Sequence, residues 1–132
     1  MSEHGLITTP SQHNAKTTME RLETAVKAAG MTVFARIDHA AGATQAGLTL
    51  RPTEVLIFGN ARGGTPLMQA QQTIGIDLPL KVLVWEDAAG KVWLTHNDPH
   101  FLGNRHGLGA AGAAVIETMS GALLKLTQAA GS

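Results

Sequence analysis

Gly59, Asn60, Arg62, Gly63, Gly64 and Thr65 follow directly on an apolar run and directly precede Pro66. Glycines that turn the backbone off a strand end leave N–H groups free at a helix start, where they can hold an anion or a substrate oxygen. Arg62 would add charge there, and Thr65 a hydroxyl. The spacing of Gly59 and Gly64 imitates a phosphate-binding loop. However, Thr65-Pro66 stands where a lysine and a hydroxyl residue would have to reach the terminal phosphates and magnesium. That disfavours a nucleotide triphosphatase and leaves a smaller anionic or polar ligand. The plain alternative is a tight turn that needs glycine for its dihedrals alone.

A second set of groups sits at other strand ends. Asp38-His39 and Asn97-Asp98 each follow a predicted strand, and His106 lies a few residues beyond the second pair. If those strand ends are neighbours, the pairs face one crevice, where open α/β sheets bind ligands. A carboxylate beside an imidazole could then do acid–base chemistry. A metal would need ligands from separate segments, with His39, Asp98 and His106 as the candidates. Against both readings, each Asp stands where a helix N-cap belongs. His96 and His100 are four apart, but Pro99 separates them, so they do not form a helical metalloprotease pair. The serines show no nucleophile-elbow motif. The residues name no cofactor.

Composition narrows the classes further. The chain has 132 residues, 44% hydrophobic and 15% charged, which suits one folded domain over residues 1–132. Ten basic and ten acidic side chains balance, so no basic field draws in nucleic acid or an anionic membrane surface. Without cysteine there is no disulfide, thiolate nucleophile or Cys-ligated metal. No apolar run approaches the ~20 residues of a membrane span, and no signal-peptide pattern opens the chain, so a cytoplasmic location is expected.

The elements that must position these groups follow from periodicity. Gly5 to Thr9 reads as a short strand closed by Pro10. A helix spans about Asn14 to Ala29, with Met19, Leu22 and Val26 on one stripe and Gly30 as its stop. Thr32 to Ile37 alternates as a strand, and Asp38 caps a short helix over His39 to Ala46. Val55 to Phe58 has no polar alternation, so both of its faces should be covered, by the chain itself or by a partner subunit. Thr65 and Pro66 read as the cap and first residue of the next helix. Leu80 to Trp85 and Val92 to Asn97 form a hairpin through Asp87–Gly90, with Trp85 and Trp93 packed across it. A helix from Asp98-Pro99 reaches about His106, and a last one follows the glycine-rich break to about Gln128. Together these indicate an α/β two-layer domain (an α+β-like sandwich) with an approximately five-stranded mixed sheet and helices packed on it. Met68 reads as core filler.

From Asn14 to Leu108 the sequence resembles the family known as domain of unknown function 302. The matching residues include Phe34-Ala35-Arg36-Ile37-Asp38-His39, Leu50-Arg51-Pro52-Thr53, Phe58-Gly59-Asn60, Gly64-Thr65-Pro66-Leu67-Met68, Ile76 to Asp87, Asn97-Asp98-Pro99 and His106-Gly107. The resemblance implies a small two-layer α/β fold, a homodimer and no established reaction. It supplies no catalytic residue. Residues 109–132 stand outside it as a helical extension. Three functions follow as expectations. The first is a homodimeric domain binding a small anionic or polar ligand at the glycine-rich site. The second is a metal-dependent or acid–base enzyme using Asp38, His39, Asp98 and His106. The third is a structural dimerisation or protein-docking module.

Overall fold

Side-chain caps set most of the helix starts. In the computed structural model, which describes residues 4–132, Asn14 accepts the Thr17 N–H at 2.8 Å and opens α1 (Ala15–Ala28). Asp38 accepts the Ala41 N–H at 2.9 Å and opens α2 (His39–Gln45). Asp98 accepts the His100 N–H at 3.0 Å and opens α4 (Pro99–Arg105), with Pro99 in the first turn, where its missing N–H costs nothing. In each case a short polar side chain replaces the intrahelical partner that a first-turn N–H lacks.

Five strands, β1 (Leu6–Ser11), β2 (Thr32–Asp38), β3 (Thr53–Gly59), β4 (Leu80–Glu86) and β5 (Val92–Asn97), form one sheet in the order β1-β5-β4-β3-β2. All four pairings are antiparallel, which corrects the expected mixed sheet. β1 and β2 do run in the same direction, as a strand–helix–strand unit should. Three other strands separate them, so no parallel ladder forms. β1 continues through Pro10 because it is an edge strand, where a missing N–H need not break a ladder.

One sheet face carries the core. Leu56, Phe58, Val82, Val84, Val92 and Leu94 pack against Met19, Leu22 and Val26 of α1 and against Leu123, Leu126 and Ala130 of α5 (Ala113–Gly131). Each large apolar side chain buried this way contributes about 1.5–3 kcal/mol before the entropy of ordering is subtracted. The last helix is therefore integral to the fold. Arg21 of α1 fastens its end, donating to the carbonyls of Ala129, Ala130 and Ser132. A second cluster, Leu67, Ile74, Leu102, Leu108, Ile116 and Met119, joins α3 (Ala61–Ala70), the 3-10 turn Gln72–Ile76, α4 and α5.

The alternate strand residues Ala35, Val55, Ile57, Leu83, Trp85 and Trp93 project from the opposite face, where each keeps partial exposure; Ile37 beside them is 43% exposed. Trp85 and Trp93 stack with centroids 6.4 Å apart, as cross-strand partners should. Their indole N–H groups donate to Thr95 Oγ1 and Asp87 Oδ2, each at 2.9 Å. The rings thus present apolar surface with their polar handles already satisfied.

Candidate functional site

The glycine-rich segment lies inside a helix. Asn60, with extended dihedrals, is the cap of α3, and its Oδ1 accepts the Gly63 N–H at 2.7 Å. The Gly64 N–H reaches the Asn60 carbonyl at 3.2 Å. Neither Gly63 nor Gly64 has a positive φ, so no left-handed turn is present. This corrects the expected start at Thr65-Pro66, because the Asn60 cap begins the helix at Ala61 and leaves Pro66 inside it. Pro66 has no N–H, so the Arg62 carbonyl receives no bond from four residues on.

What these residues do build is a cavity of about 360 Å³ at the C-terminal end of β3. Gly59, Asn60, Ala61, Gly63, Gly64 and Thr65 form one wall. Leu78, Pro79 and Leu80, entering β4, form a second, and Val115, Thr118, Met119 and Ala122 of α5 form a third. Met31, Phe34, Met68 and Gly75 complete it. A β-bulge between Val33 and Ala35 takes Phe34 out of the β2–β3 register and brings it to this cavity. Bulges commonly re-aim a side chain next to a site in this way. The lining includes no ionisable side chain; its polar side chains are Asn60, Thr65 and Thr118.

Five expected site residues therefore meet here: Gly59, Asn60, Gly63, Gly64 and Thr65. Arg62 is exposed and outside the lining. The sequence offered no signal for Phe34, and Met68, expected as core filler, packs half-buried against the second core cluster and also lines the cavity.

The other candidates lie elsewhere and do not converge. Because β2 and β5 are antiparallel in sense, Asp38-His39 and Asn97-Asp98 stand at opposite ends of the sheet, and no shared crevice forms. Asp38 borders a second concavity, of about 590 Å³, with Lys16, Arg36 and Glu54, while His39 is exposed at the start of α2. Asn97 pairs with Leu6 at the sheet edge. Asp98 is buried at 4% exposure as the α4 cap, and also meets His100 Nδ1 at 3.3 Å. The other ring nitrogen of His100 contacts Glu117, and that hydrogen bond, with the nearby carboxylates, raises the His100 pKa. His106 Nε2 meets Asp77 Oδ2 at 2.6 Å, its Nδ1 meets Thr73 Oγ1 at 3.0 Å, and Arg105 shares Asp77 at 3.1 Å. These contacts tie α4 to the entry of β4. His39, Asp98 and His106 cannot share a metal across the sheet, and no group of three or more metal-ligating His, Asp or Glu side chains occurs among the described residues. His96 is 5% exposed, its Nδ1 lies 2.8 Å from the Asn97 carbonyl, and burial lowers its pKa.

Comparison with known proteins agrees with this architecture. A crystal structure of an uncharacterized conserved protein DUF302 from Bacillus stearothermophilus superposes with a TM-score of 0.85, covering 96% of this chain and 98% of that one at 19% identity. Two curated relatives, each named fluoride-specific ion channel FluC 1, come from Brucella suis and Brucella abortus. Both are 52% identical over 117 residues, 89% of this chain, and the match covers 46% and 43% of their lengths. The chain thus spans less than half of the curated relatives it matches. No helix among the described residues is long and apolar enough to cross a membrane. The model of the domain of unknown function DUF302 matches residues 7–126, past both ends of the region read from the sequence and into α5. The chain belongs to the DUF302 family.

Proposed function

We propose that this domain is a small-molecule-binding module whose site is the cavity between β3, α3, the start of β4 and α5. The observation that carries the reading is the convergence of Asn60, Gly64 and Thr65 with residues from three other segments on one concavity. Of the small anionic or polar ligand expected from the sequence, the polar option is the one retained here, since the lining holds no ionisable side chain. Asn60 and Thr65 are the polar groups of α3 available to it, because Gly63 and Gly64 spend their N–H groups on the cap. A thermal-shift panel of phosphate, carboxylates, sugars and neutral organic molecules tests the reading. A binder must raise the apparent stability, and no stabilisation by any class at millimolar concentration overturns it.

The apolar outer sheet face around Ile57, Leu83 and Trp85 supports self-association as part of the same proposal, since a twofold interface needs one self-complementary patch. A location in the cytoplasm, expected from the sequence, remains part of the proposal.

The 52% identity to the Brucella proteins favours a second reading, in which the domain is an appended module of a fluoride channel. With no helix among the described residues able to span a bilayer, a helical conducting path would belong to the remainder of those proteins. Fluoride titrated against chloride, read by backbone amide NMR, tests whether the domain itself senses the ion. Identical responses to both anions remove direct sensing.

A further inference from the structure

We propose that the ligand of the β3–α3 cavity is a neutral molecule with an apolar body and one hydrogen-bond acceptor at one end, such as a medium-chain ketone. This rests on the binding reading above and names its ligand class. The argument starts from charge. The lining offers no Lys, Arg or His to compensate an anion and no carboxylate to compensate a cation. An ion seated against such a wall sheds part of its water without gaining a charged partner, a penalty that favours a neutral guest.

The body of the cavity then sets the body of the ligand. Met31, Met68 and Met119 approach it from three separate segments, the loop before β2, α3 and α5. Unbranched thioethers repack around irregular apolar shapes, so such a wall accommodates a range of flexible chains. At roughly 30 Å³ per water-sized atom in a liquid, 360 Å³ holds on the order of a dozen non-hydrogen atoms.

The polar end is set by Asn60 and Thr65. The Oδ1 atom of Asn60 is committed to Gly63, but neither Asn60 Nδ2 nor Thr65 Oγ1 has a hydrogen-bond partner among the described residues. Both side chains are exposed at the rim; Asn60 Nδ2 can only donate, and the Thr65 hydroxyl can donate or accept. A carbonyl oxygen satisfies the Asn60 donor.

Methionine methyl NMR tests this with an internal control. Met19, on α1, is fully buried and lies outside the cavity, whereas Met31, Met68 and Met119 line it. Titration with 2-octanone should shift the three lining methyls saturably and leave Met19 still. The affinity should be unchanged between 50 and about 500 mM salt, since no charge is involved. Octanoate should bind at least tenfold more weakly, and inorganic phosphate should move none of the three. Asn60→Asp keeps the helix cap and removes the Nδ2 donor, so it should weaken 2-octanone about five- to tenfold while Met19 stays in place. Tighter binding of octanoate or phosphate at the same methyls would retain the site and overturn the ligand class. An Asn60→Asp variant that binds as well as wild type would overturn the assigned polar end. If none of the probes moves the three methyls, or Met19 moves with them, both the ligand class and the site fall.

Discussion

The side-chain oxygen of Asn60 accepts the backbone N–H of Gly63 at 2.7 Å, and this bond decides where α3 begins. Asn60→Ala should therefore cost about 1 kcal/mol in urea denaturation, and Asn60→Asp should cost little, since both Asn and Asp cap well. Thr65 lies within the helix and caps nothing, so Thr65→Ala should be within about 0.5 kcal/mol of wild type. A large loss at Thr65 with none at Asn60 would reverse the assignment.

Gly63 and Gly64 are adjacent in one helix yet should respond oppositely to alanine. A Cβ at Gly64 would meet Leu78 Cδ1 at 3.7 Å and Met68 Cε at 3.8 Å, ordinary contacts. Gly64→Ala should then stabilise by about 0.5–1 kcal/mol through helix propensity. At Gly63 the new Cβ lies 3.3 Å from Asn60 Oδ1, so it crowds the cap and offsets that gain. Paired urea melts check this, and equal responses would count against the cap geometry.

Two histidines give the stability–pH curve opposite slopes. Burial lowers the His96 pKa, so its contribution is fully present above the unfolded value near 6.5 and is lost as pH falls from there through the folded value. His96→Leu should flatten that acid limb. Glu117 and Asp98 raise the His100 pKa, so its contribution is present below about 6.5 and is lost as pH rises through the folded value. His100→Asn should remove that loss, with a small amplitude because the ring is largely solvated. Urea midpoints measured from pH 5 to 8 separate the two.

The outer sheet face predicts a single change that breaks self-association without unfolding. Leu83→Lys places a charge at the centre of the patch, opposite Thr95 and Val55, while sparing the core face. Sedimentation should show wild-type dimer and Leu83→Lys monomer at the same concentration. A wild-type chain that stays monomeric at every concentration removes the interface.

The legible parts of the sequence were those governed by neighbours a few residues away. Asp38 and Asp98 announced their helices because a cap is a contact across two or three residues. The junction after β3 was harder to read, because Asn60 and Thr65 are both good caps five residues apart and two glycines between them weaken the helix signal. The cavity drew part of its wall from that segment, so part of the site was visible. Phe34 was not, since a bulge is a property of the β2–β3 pairing. Nor was the separation of Asp38 from Asp98, because strand order depends on contacts between distant segments.

The sheet closes by joining β1 to β5, with Thr8 and Thr95, 87 residues apart, sharing a hydrogen bond between their hydroxyls. On a ribosome that adds ~5–20 residues per second, the first strand emerges several seconds or more before its partner β5 exists. During that interval Leu6-Ile7-Thr8-Thr9 is an unpaired, β-prone segment, and Pro10, although it lies within β1, has no N–H to offer a stray strand. Pro10 thus acts as a guard on the nascent chain, limiting how far a stray strand can zip onto the first one while the other half of the sheet is still being made.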